Sequence, residues 1–209
     1  MVSEFMLQQT RVETVLPYFE RFLRTFPTLE ALAKASLQSV LKAWAGLGYY
    51  ARARHLHAVA KTICNDLGGK IPTTKKDLLS LPGFGPYIAG AVASIAFNQP
   101  AAALDGNVQR ILSRLLAAPW ISGKKMAERF LDNLIPPDRA SDFNQALMDL
   151  GALTCIPNQP RCPQCPVKKF CSWHGFGEQK EKRKVKKIRK EVWAVALVEQ
   201  DGRFLLHRK

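Results

Sequence analysis

Apolar residues recur at helical spacing along most of the chain, and proline or glycine closes one run after another. EFMLQQTRVETVLPYFERFLRTF (residues 4–26) keeps that spacing up to Pro27. SLQSVLKAW (36–44) and ARARHLHAVAKTICNDLGG (51–69) follow, the second ending on Gly68 and Gly69, where the backbone can turn left-handed. KKDLLSL (75–81), PYIAGAVASIAF (86–97), NVQRILSRLL (107–116), KKMAERFLDNLI (124–135) and SDFNQALMDLGAL (141–153) continue the series. Thr74, Asp77 and Ser141 are candidate N-caps, since a short oxygen-bearing side chain can accept from the free N–H groups of a first turn. Residues 1–154 are therefore expected to be helical, with no solenoid repeat.

The pattern then changes twice. Residues 155–174 carry cysteines, prolines and cations with little periodicity. Residues 175–191, GFGEQKEKRKVKKIRKE from 175, form a charged run, expected to be a solvated basic linker because blocks of like charge repel. In residues 192–209, VWAVALVEQ and RFLLHRK flank Asp201-Gly202, a strong hairpin pattern. Two strands alone are marginal in water, so this hairpin is expected to open a second domain whose remainder is absent.

A 209-residue chain with 47% hydrophobic residues can bury a core, which excludes global disorder. The formal charge of +14 favours a polyanionic partner, most often nucleic acid. No uncharged apolar run of about 18 residues is present, so no membrane span is expected. The first residues, MVSEFMLQQTRVE, lack the basic and long apolar regions of a secretory signal.

Four of the five cysteines crowd together as Cys155-x6-Cys162-x2-Cys165-x5-Cys171, while Cys64 stands apart at a position suited to helix packing. That clustering favours a metal centre over a disulfide framework. Zinc and a [4Fe–4S] cluster both accept four thiolates. With one tight knuckle and wider gaps on either side, the spacing favours iron–sulfur. Lys168 and Lys169 lie between the third and fourth cysteines, where they are either ordinary surface charge or contacts to a phosphate backbone.

Leu81-Pro82-Gly83-Phe84-Gly85-Pro86-Tyr87 separates two helical runs. Gly83 and Gly85 permit a tight turn and close approach by a ligand, and Pro86 suits a first helical turn. Free N–H groups at such a helix start can meet a phosphate. Downstream, Asp105 in Leu104-Asp105-Gly106-Asn107-Val108 reads, on composition alone, as an N-cap.

Together these segments resemble the helix-hairpin-helix DNA glycosylase superfamily, which includes endonuclease III. There the LPGxG hairpin binds phosphate, a nearby aspartate is catalytic, and cysteines at this spacing hold a [4Fe–4S] cluster. Three further segments are similar to motifs of the MutY-type adenine glycosylases: Ser3-Glu4-Phe5-Met6-Leu7-Gln8-Gln9-Thr10, Trp44-Ala45-Gly46-Leu47-Gly48-Tyr49-Tyr50-Ala51-Arg52 and Leu104–Val108. The resemblance implies a mostly α helix-hairpin-helix DNA glycosylase fold with an iron–sulfur cluster loop, plus a C-terminal β-hairpin from an incomplete Nudix-like domain. It implies a monofunctional enzyme, because Tyr87 stands where the bifunctional relatives carry a Schiff-base lysine. It gives Glu4 the role of general acid at adenine N7 and Asp105 that of stabilising the oxocarbenium-like sugar. Tyr87 would bond in the sugar pocket and Asn107 would place the nucleophile. Gln8, Gln9, Tyr49, Gly83, Gly85, Lys168 and Lys169 would face DNA. Cys155, Cys162, Cys165 and Cys171 would ligate a [4Fe–4S] cofactor. The expected substrate is double-stranded DNA with adenine opposite 8-oxoguanine or guanine, acted on by a monomer in the bacterial cytoplasm, at the nucleoid.

Two departures from the family pattern matter. Met1 falls where the family carries tryptophan, and helical chain that precedes this point in the family is missing, so a piece clipped at both ends is expected, with Glu4 exposed to fraying. The alternatives are a thymine or uracil mismatch glycosylase on the same scaffold, and a catalytically impaired DNA-binding fragment.

Overall fold

The computed structural model describes residues 1–118, 123–173, 199–200 and 203–204. The chain divides into two compact units, Met1–Trp173 and His174–Lys209. The basic linker at 175–191, the Asp201-Gly202 turn and most of 192–209 lie outside the described residues. In the second unit the backbone of β1 (Glu199–Gln200) pairs antiparallel with β2 (Arg203–Phe204).

In the first unit the described helices are α1 (Val2–Leu7), α2 (Val12–Thr25), α3 (Leu29–Lys34), α4 (Leu37–Trp44), α5 (Ala51–Asp66), α6 (Lys75–Leu78), α7 (Pro86–Ala91), α8 (Gly106–Leu115), α9 (Lys124–Asp132) and α10 (Ala140–Asp149). Wider π-turns extend α7 through Val92–Ala96 and α10 through Leu150–Thr154. No helix among the described residues is long and apolar enough to cross a membrane.

The apolar stripes meet in two clusters. Phe5, Met6, Phe22, Trp44, Leu56, Ile63 and Ile88 form the first, contributed by α1 to α7. Burial of each of these larger side chains contributes about 1.5–3 kcal/mol. Phe22 meets Trp44 edge-on at 5.9 Å, and Phe5 meets Phe84 at 5.5 Å. Val108, Leu112, Leu131 and Ala140 form the second cluster, from α8 to α10. The buried segment Ala101–Ala103 passes from one to the other and leads into Asp105. Its backbone is held by side chains: the Ala102 N–H donates to Asp132, the Ala103 N–H to Asn144 Oδ1, and Lys75 spans from the Ala102 carbonyl to Glu128. Gly90 is what lets α7 lie on this segment, since a Cβ there would stand 1.9 Å from the Ala102 carbonyl oxygen.

Two local expectations change. The apolar run 4–26 is two helices rather than one, broken at Gln8–Arg11, where a side chain from α5 takes the carbonyls of Met6 and Gln8. Thr74 caps α6, its hydroxyl oxygen accepting from the Asp77 N–H, but Asp77 and Ser141 are not caps. Asp77 lies inside the first turn, where its carboxylate accepts from the Thr74 hydroxyl at 2.7 Å. Ser141 lies inside α10, and its N–H donates to Asn98 Oδ1.

Candidate active site

α1 is short, yet Phe5 and Met6 are fully buried, so Glu4 rides on an anchored helix rather than a frayed end. α7 brings Tyr87 to it, and the Tyr87 hydroxyl donates to Glu4 Oε2 at 3.4 Å. Burial first, then the nearby charges of Glu4 and Asp105, push the Tyr87 phenol far above its ordinary value. One phenol therefore feels two carboxylates that lie about a hundred residues apart in sequence.

Asp105 caps α8: its Oδ1 accepts from the Val108 N–H at 2.7 Å. The cap reading from composition thus holds. The second oxygen, Oδ2, accepts from the Asn107 amide at 2.9 Å. Asn107 Oδ1 in turn accepts from Arg110 Nη2, and Arg110 also donates to the Gly151 and Cys155 carbonyls. Gly151 permits this closeness: a Cβ there would stand 2.7 Å from the Asn107 Cβ.

The hairpin joins α6 to α7. Gly83 has φ +73 and lies directly under the His55 side chain, so a Cβ there would meet His55 Cβ at 2.5 Å. Gly85 is the N-cap of α7, with Pro86 following and open space over its α-carbon.

A cleft of about 380 Å³ opens beside α5, lined by Gln8, Gln9, Tyr49, Tyr50, Arg52 and His55. Gln9 (φ +55) and Tyr49 (φ +48) are both left-handed without being glycine, and Tyr49 is 61% exposed. Each such residue costs about 1–3 kcal/mol and persists only where neighbours hold it. Arg52 is the neighbour. Its guanidinium is buried, which lowers its proton affinity, and it donates to the carbonyls of Phe5, Met6, Gln8, Leu47 and Gly48 and to the Thr10 hydroxyl.

The cysteine segment is pinned to the end of α8. Arg114 donates to the carbonyls of Ile156 and Pro157 and approaches Cys155 Sγ at 3.5 Å, while the Cys171 thiol reaches the Arg114 carbonyl at 3.8 Å. The first and last cysteines thus meet one residue. Cys162 opens a tight turn that Cys165 closes, and Cys171 closes the next turn, Lys168–Phe170. All four thiols are free and half-buried. Among the described residues no three His, Cys, Asp or Glu side chains are placed to hold a single metal ion. As a donor set, four free thiols on one anchored loop fit a thiolate-ligated cluster, which is larger than an ion and takes its ligands from more widely spaced points. Lys168 and Lys169 are exposed on that loop, with Lys169 over the Phe170 ring.

Of the residues singled out in the sequence, Glu4, Tyr87, Asp105 and Asn107 come together; Gln8, Gln9 and Tyr49 share the cleft; Gly83 and Gly85 form the hairpin turn. Arg52, His55, Arg110 and Gly151 went unassigned. For Arg52 a signal existed: it falls in phase with Leu56, Val59 and Ile63, a lone cation on the buried stripe of α5.

The family model for HhH-GPD superfamily base excision DNA repair proteins matches residues 2–137. A curated adenine DNA glycosylase of Rattus norvegicus is 46% identical over 178 residues, an alignment covering 83% of this chain and 34% of the relative. The chain therefore spans about a third of that relative's length. Among solved structures, a thermostable thymine-DNA glycosylase superposes with a TM-score of 0.75 at 30% identity, over 82% of this chain and 81% of that one. A trapped endonuclease III–DNA covalent intermediate superposes with a TM-score of 0.72 at 25% identity, over 82% and 81%. With the family model matching residues 2–137, more than half of this chain, the chain belongs to the HhH-GPD superfamily of base excision DNA repair proteins.

Proposed function

We propose that this chain is the catalytic core of a monofunctional adenine DNA glycosylase, hydrolysing the N-glycosidic bond of adenine opposite 8-oxoguanine or guanine in duplex DNA. The observation that carries this reading is the convergence of Glu4 and Asp105 on Tyr87. The target base leaves the stack so that its glycosidic bond becomes accessible. Glu4 then donates a proton to adenine N7, which turns the base into a neutral leaving group. As the C1′–N9 bond breaks, the Asp105 side chain faces the positive charge growing on the sugar. Asn107 fixes that carboxylate and places the water that adds at C1′, and the proton this water loses returns to Glu4. Adenine and an abasic site are the products. Tyr87 keeps its proton and offers a hydroxyl rather than an amine, so no Schiff base forms and the strand stays intact.

Gln8, Gln9 and Tyr49 would enter the gap in the stack, while Gly83 and Gly85 would let a phosphate approach the hairpin. Lys168 and Lys169 would meet the backbone further along. Cys155, Cys162, Cys165 and Cys171 would hold a [4Fe–4S] cluster, which when bound would fix the loop that carries these lysines. This arrangement acts as a monomer at the nucleoid of a bacterial cytoplasm, and residues 192–209 would open a Nudix-like domain.

The structural likeness to a thymine-DNA glycosylase favours a second reading, removal of thymine or uracil from mismatches. The Glu4 carboxylate on Tyr87 weighs against it, because pyrimidine release needs no N7 proton. Single-turnover incubation with A:8-oxoguanine, A:G and T:G duplexes, each with and without alkali, separates the two. Strand breaks on the adenine strand, seen only after alkali, support adenine hydrolysis. Breaks at thymine in T:G would overturn it.

A further inference from the structure

Resting on that reading, we infer that Arg52 is a positioning residue for base extrusion, setting the two turns that carry Gln9 and Tyr49 into the DNA stack. Its guanidinium joins segments far apart in sequence. Nη1 donates to Phe5 O at 3.1 Å, to Met6 O at 2.6 Å and to Gln8 O at 2.6 Å. These include the last carbonyls of α1, which no further helical turn satisfies. Nη2 donates to Thr10 Oγ1 at 3.3 Å, Leu47 O at 3.3 Å and Gly48 O at 3.2 Å. The cation also stacks on Tyr49 itself, 5.4 Å from its ring centroid, and on Trp44 at 5.5 Å, the buried anchor of the same loop.

Gln9 follows one of these acceptors and Tyr49 follows another. Both residues sit in left-handed backbone that neither side chain favours. The planar fork of one arginine spans both turns at once, which the single ammonium of lysine does not reproduce. Arg52 donates to neither carboxylate of the reaction centre; its bonds to Phe5 O and Met6 O also fix the end of α1, the helix that carries Glu4, and an unpaired target separates that contribution from base extrusion.

The test compares Arg52→Lys with the parent chain on two duplexes. In one the target adenine pairs with 8-oxoguanine; in the other it faces an abasic analogue, so little pairing holds it in the stack. The expected result is a single-turnover rate lower by about tenfold or more on the paired duplex, with an unchanged rate on the unpaired one. The fluorescence rise of 2-aminopurine at the target position is also lost in the variant. Equal slowing on both duplexes, or an unchanged rate and fluorescence, overturns the inference. If thermal unfolding shows that Arg52→Lys does not fold, Thr10→Val, which removes one partner of Nη2 together with the Thr10 hydroxyl's own bond to the Gln8 carbonyl, carries the same comparison and is judged by the same split. A parent chain that releases no base at all contradicts the adenine reading instead, and the 2-aminopurine signal of parent against variant then decides the role of Arg52 alone.

Discussion

Asn107 donates its side-chain amide to Asp105 Oδ2 at 2.9 Å, while Oδ1 of the same carboxylate is held at 2.7 Å by the Val108 N–H. Both oxygens are thus fixed before any substrate arrives. Asparagine caps helices as well as aspartate does, so Asp105→Asn is expected to keep the fold. Without the negative charge, base release is expected to slow by about 10²–10³-fold, in line with loss of an electrostatic stabiliser. Thermal unfolding of the variant alongside its single-turnover rate checks both halves.

Gly151 on the turn after α10 faces Asn107 so closely that an added methyl must displace it. Gly151→Ala is expected to cost about 1–3 kcal/mol, as overpacking does. It is also expected to lower the rate at saturating DNA more than the affinity, since Asn107 moves and the DNA-facing cleft does not. Urea unfolding and the separation of rate from binding check this.

The two hairpin glycines are expected to behave differently. At Gly83 a side chain would have to adopt φ +73 and displace His55, so Gly83→Ala destabilises the fold. At Gly85 nothing lies within 4 Å of the added methyl, so Gly85→Ala folds as the parent does. It nevertheless narrows the approach of a phosphate and weakens duplex binding, with little change in the salt slope because no charge is lost. Melting curves and binding isotherms at several salt concentrations distinguish the pair.

His57 supplies a pH dependence. Its ring Nε2 lies 3.0 Å from the Ala35 carbonyl oxygen, and burial, assisted by Lys61, lowers its pKa below the ordinary histidine value. The unfolded chain therefore binds a proton that the folded chain refuses. The stability this represents is complete above the unfolded value of about 6.5 and is lost as pH falls through the lower folded value. His57→Gln is expected to remove that part of the acid destabilisation, seen as a flatter dependence of melting temperature on pH below neutrality.

Much of this fold was legible from spacing alone, since α5, α8, α9 and α10 bury the faces that their apolar residues trace. The break between α1 and α2 was not, because the periodicity continues through it and its cause lies in Arg52, more than forty residues away. Asp105 was legible as a cap, because a short carboxylate before an apolar helical run accepts from the free N–H groups of a first turn. Gly151 was not, because a glycine inside a helical pattern reveals nothing until the helix it meets is known.

The central claim is that this core releases adenine. Mass spectrometry of the small-molecule fraction after single-turnover incubation with an A:8-oxoguanine duplex tests it most directly. The account predicts free adenine from the parent chain, none from Glu4→Gln, and an intact strand until alkali is added. Release of thymine from a T:G duplex, or adenine release that survives Glu4→Gln undiminished, would contradict it.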